Sequence, residues 1–170
     1  AGSKGIPNKN IRIIGGHPLV YYAIKNALNS KFISAVVVST DSPEVRIIAQ
    51  QMGVMCKWRD ESLCGDDITL DSVIYDAIPN GDWDYIVTMQ PTSPTLTVST
   101  LDDAIKYTIE NKLDTCISAY NAPHLSWGEK DGKKIPNYTK RLNRQYLPPY
   151  YMETGAFVIS KRQVVTPESR

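Results

Sequence analysis

The sequence lacks an excess of charge of either sign. Lys plus Arg number 19 and Asp plus Glu 18, for a net charge of +1. Such balance builds in no general attraction to nucleic acid or to a membrane surface. No apolar run approaches the ~20 residues needed to span a bilayer, and no signal-peptide pattern is present. Cysteine is scarce: Cys56, Cys64 and Cys116 are an odd number, widely spaced and without a CxxC pair. That excludes a disulfide framework and a zinc knuckle, and it points to a reducing compartment, the cytoplasm. Histidine is scarcer still. His17 and His124 lie far apart, each beside a proline. HExxH, GxSxG and EF-hand patterns are absent, which argues against metalloprotease and serine-hydrolase chemistry.

What is present is ordinary globular composition, 42% hydrophobic and 22% charged over 170 residues. One domain with a substantial core is expected over residues 1–170. Residues 1 to 18 hold four Gly and two Pro and read as a loop. Leu19 to Leu28 has apolar positions at helical spacing. Ala35-Val36-Val37-Val38-Ser39 reads as a strand buried on both faces. Thr40-Asp41-Ser42-Pro43 supplies a turn, a cap and an early helical proline for a helix from Pro43 to Met52, which Gly53 ends. Val54 to Lys57 is a short strand, Leu70 to Ile78 a helix, Tyr85 to Met89 a central strand, Ser99 to Asn111 a helix and Thr115 to Tyr120 a strand. Strands alternating with helices of ~10 residues predict βαβ units and a mainly parallel sheet.

From Asn121 helical periodicity is lost until strand character resumes at Gly155. Residues 121–154 are expected to form an excursion from the sheet: a lid, an arm or an oligomer contact. The chain opens on Ala1-Gly2-Ser3-Lys4 without an initiator Met and ends on Thr166 to Arg170 without a closing element. Both ends are expected to be truncated.

Four groups of residues suit chemistry. Gly2-Ser3-Lys4-Gly5-Ile6-Pro7-Asn8-Lys9-Asn10 is a loop whose backbone N–H groups and lysines suit phosphate. It matches neither Walker A nor GxGxxG, and a solvated basic loop has the same composition. Gln90-Pro91-Thr92-Ser93-Pro94 directly follows a strand, where ligands gather in open parallel sheets; a rigid turn reads the same way. Arg59, with Asp66 and Thr69, could grip phosphate or pair on the surface. Arg141, Arg144, Gln145, Tyr150, Tyr151 and Glu153 offer a carboxylate partner and aromatic faces. An oligomer interface is also rich in Arg and Tyr.

Taken in order, these pieces resemble the acylneuraminate cytidylyltransferases, or CMP-sialic acid synthetases. The loop from Gly2 to Asn10 resembles the family's amino-terminal signature, and Val38-Ser39-Thr40-Asp41 its second strand and turn. Gln90-Pro91-Thr92-Ser93-Pro94 matches the core motif in full. Arg144-Gln145 and Tyr151-Met152-Glu153-Thr154-Gly155-Ala156-Phe157 resemble the late sugar-site segment. The likeness covers nearly the whole chain, and its specificity lies in the ordered set.

The resemblance implies a three-layer αβα, Rossmann-like nucleotidyltransferase fold with a mixed, mainly parallel sheet. It implies that CTP and a nine-carbon α-keto acid sugar give CMP-sugar and pyrophosphate. On this likeness Ser3, Lys4, Gly5, Lys9, Asn10, Arg59, Thr69 and Gln90 surround the nucleotide, with Lys9 the catalytic charge. Gln90, Arg144, Gln145, Tyr151, Glu153 and Thr154 face the sugar, Arg144 on its carboxylate. A homodimer is implied, with the excursion reaching toward the partner. Mg²⁺ is implied too, held by an Asp-x-Asp pair beyond the point matching Arg170, so no metal ligand is expected within this chain. The family has an Arg just before the position of Ala1, Leu-Arg where Thr95-Leu96 stands, and Asn where Thr154 stands. The last change bears on sugar choice, because a hydroxyl cannot offer two amide donors. Sialic, legionaminic and pseudaminic acids and the smaller Kdo differ in such polar groups. A degenerate relative that binds nucleotide without turning it over is the alternative from another functional class.

Overall fold

The computed structural model describes residues 5–170. The opening loop holds more order than expected. Lys9–Ile11 forms a 3-10 turn, and β1 (Ile13–Ile14) pairs antiparallel with β2 (His17–Pro18). The reason is the Gly15-Gly16 pair, at φ of 56° and 89°, values that open a two-residue hairpin turn to glycine.

Helix α1 (Leu19–Asn29) buries Leu19, Val20, Ile24 and Ala27. Strand β3 (Val37–Thr40) leads into α2 (Pro43–Gln51), whose first turn is held by Ser42: its Oγ accepts from the Val45 amide at 3.3 Å. Gly53, at φ 72°, turns the chain into β4 (Met55–Trp58). This strand lies parallel to β3 in the register Val37↔Met55 to Thr40↔Trp58. Next come α3 (Leu70–Ala77), β5 (Tyr85–Met89), α4 (Val98–Glu110) and β6 (Thr115–Asn121). Thr69 and Thr97 cap α3 and α4, accepting from the amides of Ser72 and Thr100. After the hairpin of β7 (Trp127–Lys130) and β8 (Lys133–Pro136), β9 (Tyr151–Lys161) runs antiparallel to β5, Met89↔Phe157 to Tyr85↔Lys161. The second sheet has the order β5-β9-β6. The architecture is therefore mixed α/β with both parallel and antiparallel pairs.

Two strands depart from expectation. Val37 to Ser39, and all of β5, are only half-buried rather than enclosed on both faces. Among the described residues each strand is also an edge: β3 pairs only with β4, and β5 only with β9.

The chain divides into two units. The first runs to Ile117 and resumes from Gly155 to Arg170; the second is residues 118–154. The first unit holds two separate apolar clusters. One joins α1, α2 and the segment before β4 through Val20, Ile24, Val45, Ala49 and Val54. The other joins α4 to β9 through Leu101, Ile105, Ala156, Phe157 and Ile159. Cys56 packs against the first cluster; burial pushes its thiol above the ordinary value against the opposing pull of the Arg46 charge, so it stays a protonated packing residue at neutral pH.

In the second unit, Asp131 and Gly132, at φ 51° and 72°, make the β7–β8 turn. The Trp127 ring meets Tyr138 edge-on at 6.0 Å. Ala122 donates its amide to the Tyr150 carbonyl at 2.7 Å and is the only buried residue of this unit. Among the described residues no helix is long and apolar enough to cross a membrane.

Candidate active site

A cavity of about 750 Å³ opens in the first unit. Its middle is walled by Val and Ile from helices and strands. Phosphate and sugar do not partition into such a lining, so the chemistry belongs where polar side chains reach it. Lys9, Asn10, Asp41, Arg59 and Gln90 all do so.

Each is positioned by local structure. Asn8, at φ 54°, adopts the left-handed conformation that asparagine tolerates, and its carbonyl accepts the Ile11 amide at 3.1 Å. Ile11 packs against the first apolar cluster. The turn is thus anchored at Ile11 and presents Lys9 and Asn10 to the cavity. Arg59 follows β4 and extends its ladder, donating its amide to Thr40 O at 2.9 Å. Its guanidinium donates from Nη2 to Ser39 O at 3.0 Å and from Nε to Ser39 Oγ at 3.4 Å. These contacts fix the head group at the carboxyl end of β3, with donors remaining for a ligand. Thr40 Oγ1 accepts from the Ser42 amide at 3.0 Å, which braces the turn carrying Asp41.

Gln90 directly follows β5. Gly155, at φ 69°, lies against it: a Cβ there would stand 3.4 Å from Gln90 Oε1. Gly155 therefore answers both a backbone conformation and a close approach.

The sequence-derived residues separate into groups. Lys9, Asn10, Arg59 and Gln90 share the cavity. Gly5 is exposed, and a Cβ on it would meet nothing within 4 Å. Ser3 and Lys4 lie outside the described residues. Thr69 does not line the cavity; its Oγ1 caps α3. Arg144 and Gln145 open an exposed 3-10 turn, Arg144–Tyr146, in the second unit. Tyr151, Glu153 and Thr154 are exposed on the leading half of β9, also in that unit. The Thr154 hydroxyl donates to Ser118 Oγ at 2.7 Å. Asp41 and Gly155 were not singled out as site residues. The signal for Asp41 was its place at the carboxyl end of a strand. No sequence signal tied Gly155 to Gln90, because their contact crosses between two strands.

Among the described residues no group of three or more His, Cys, Asp and Glu side chains converges as a metal site would. A cage of protein ligands for Mg²⁺ is therefore not built from the described residues.

Comparison with known proteins agrees with this architecture. An N-acylneuraminate cytidylyltransferase of Oncorhynchus mykiss is 30% identical over 172 residues, covering 96% of this chain and 40% of that protein. A pseudaminic acid cytidylyltransferase of Campylobacter jejuni is 35% identical over 117 residues, covering 65% of this chain and 50% of that protein. The chain thus spans half or less of the length of these two curated relatives. Among solved structures, a CMP:2-keto-3-deoxy-manno-octonic acid synthetase complexed with CTP superposes with a TM-score of 0.69 at 17% identity, covering 96% of this chain and 71% of that one. That likeness establishes the fold. The family model described as cytidylyltransferase matches residues 1–169, and the chain belongs to that family.

Proposed function

We propose that the protein transfers the cytidylyl group of CTP to an acidic nine-carbon sugar of the sialic acid type. The observation that carries this reading is the gathering of Lys9, Asn10, Arg59 and Gln90 on one cavity, in a chain that matches the family along its length. In the reaction the anomeric hydroxyl oxygen bonds to the α-phosphorus of CTP, the bond to the β-phosphate bridging oxygen breaks, and pyrophosphate leaves. The hydroxyl proton passes to solvent or a nearby base. Lys9 and Arg59 offset negative charge that builds on the phosphate oxygens. Asn10 and Gln90 supply neutral donors and acceptors that orient nucleotide and sugar. Ser3, Lys4, Gly5 and Thr69 complete the nucleotide side in this reading. Mg²⁺ is proposed as the cofactor.

The sugar side is assigned to Gln90, Arg144, Gln145, Tyr151, Glu153 and Thr154. Among the described residues no ion pair occupies Arg144, so its planar fork is available for a carboxylate. The second unit buries one residue and exposes Trp127, Tyr146, Tyr150 and Tyr151. A second copy of the chain is the proposed cover, making a cytoplasmic homodimer. Three free thiols suit that compartment.

A panel of four nucleotides against sialic, legionaminic and pseudaminic acids and Kdo tests the reading through pyrophosphate release in the presence of Mg²⁺. Release with CTP and a nine-carbon acid is expected. Release with Kdo alone would reassign the sugar, and CTP binding without turnover would leave a binding module. Arg144→Ala is expected to raise the sugar KM by about 10-fold or more with the CTP KM unchanged, since one charge-assisted pair contributes about 1.5–3 kcal/mol. An equal rise in both would remove the carboxylate role.

A further inference from the structure

Gln90 lines the cavity with both ends of its amide unclaimed. Among the described residues no hydrogen bond holds that side chain, although the residue is half-buried. A glutamine with three rotatable bonds and no polar anchor takes its direction from packing. Gly155 supplies that packing. A Cβ at Gly155 would stand 3.4 Å from Gln90 Oε1 and 3.7 Å from Cδ, and the amide nitrogen is not within 4 Å of that position. Gln90 lines the cavity, whereas Gly155 does not. The amide therefore rests between Gly155 and the cavity, its oxygen toward the glycine and its two N–H donors left for a ligand. The fold holds this seat in place. The ladder of β5 and β9 ends at Met89↔Phe157, so Gln90 and Gly155 lie just beyond its last pair. Along β9 four exposed residues precede Gly155 and five buried ones follow it. The change of pattern falls at a φ of 69°, a backbone that L side chains resist. Both residues belong to the first unit.

We propose that Gly155 is a positioning residue for Gln90: a bare stretch of backbone that seats the amide with its donors toward the substrate, where they bond an oxygen of the sugar. The proposal rests on the reading of Gln90 as a substrate contact. A side chain at position 155 disturbs the seat in two ways. Its Cβ fills the space beside Oε1, and relief of the strained φ shifts the backbone on which the amide rests. Either change turns the donors away from the line they now hold. Gly155 reaches the substrate only through Gln90, so its effect on the reaction requires that side chain.

The test is a double-mutant cycle on the sugar kcat/KM at saturating CTP. Gly155→Ala and Gln90→Ala are each expected to lower it by about 10-fold, the scale of one misplaced hydrogen bond. The double variant is expected to lose no more than Gln90→Ala alone, whereas a merely structural role for Gly155 would multiply the two losses. Gly155→Asn covers the case in which the alanine variant does not fold. Asparagine tolerates the left-handed backbone but still places a Cβ beside Gln90, so the same loss is expected. A readout free of turnover is the order parameter of the Gln90 side-chain amide in the unliganded protein, its signals identified by their loss in Gln90→Ala. It is expected to fall in both Gly155 variants. An unchanged order parameter, losses that multiply in the double variant, or wild-type kcat/KM in Gly155→Asn would each overturn the proposal. A lowered order parameter in a protein that turns over none of the sugars would support the seat and overturn instead the functional reading beneath it.

Discussion

Replacing Lys9 by alanine is expected to lower kcat for pyrophosphate release from CTP by at least about 10²-fold. Removing one preorganised positive or donor group aimed at developing charge costs about that much in comparable sites. Lys9 meets the geometric requirement because its turn is fixed independently of the ligand, through the Asn8 carbonyl and the packing of Ile11. Preorganisation of this kind leaves little rearrangement to be made at the moment of reaction. The expected signature is a fall in kcat that exceeds any rise in the CTP KM, because the triphosphate retains Arg59 and the charge that builds in the transition state loses its partner. Lys9→Arg is expected to recover part of the loss. Lys9 is half-buried on a 3-10 turn and belongs to neither apolar cluster, so the unfolding midpoint is expected to move little. A Lys9→Ala protein with wild-type kcat would remove the residue from the chemistry. One with lowered kcat and a large loss of stability would assign it a structural role.

The sequence carried the helices and most strands to within a few residues because their signals are local. Ser42-Pro43 starts α2, Gly53 ends it, and Thr69 and Thr97 precede apolar runs. It carried less of what depends on pairing. The direction of β9 against β5 leaves no mark on either strand, because a run such as Phe157-Val158-Ile159 suits both directions. The β7–β8 hairpin was legible in principle: Asp131-Gly132 is a strong two-residue turn signal, hidden among prolines and aromatics of mixed pattern. Of the candidate site, Lys9 and Asn10 were legible from a loop of Gly and Lys, and Arg59 and Gln90 from residue type and place after strands. Thr69 has a local structural duty as well. A threonine before an apolar helical run is first a cap, and its Oγ1 holds the Ser72 amide. The late segment was legible as a chemical group of Arg, Gln and Tyr, but one-dimensional spacing carries no distances.

Leu101→Ala is the substitution expected to cost most in stability, about 3–5 kcal/mol. Leu101 is fully buried on α4 among Ile105, Ala156, Phe157 and Ile159, and Ile159 is likewise at 0% exposure. Truncation removes apolar burial and leaves a cavity, and the cost grows with the part of that cavity the neighbours cannot refill. Refilling here is restricted. Phe157 and Ile159 are held by β9, paired with β5, and the adjoining turn of α4 is fixed by buried Thr108, whose hydroxyl donates to Ala104 O at 2.7 Å. Val38→Ala supplies the contrast. Val38 lines the cavity and is half-buried, so less transfer free energy is lost and the void joins space already present. Its cost is expected near or below about 1.5 kcal/mol. Urea unfolding with unchanged m-values measures both. Equal losses at the two positions would mean that β3 is as enclosed as α4. A small loss at Leu101 would mean that the second cluster repacks, contrary to the constraints that β9 and Thr108 impose.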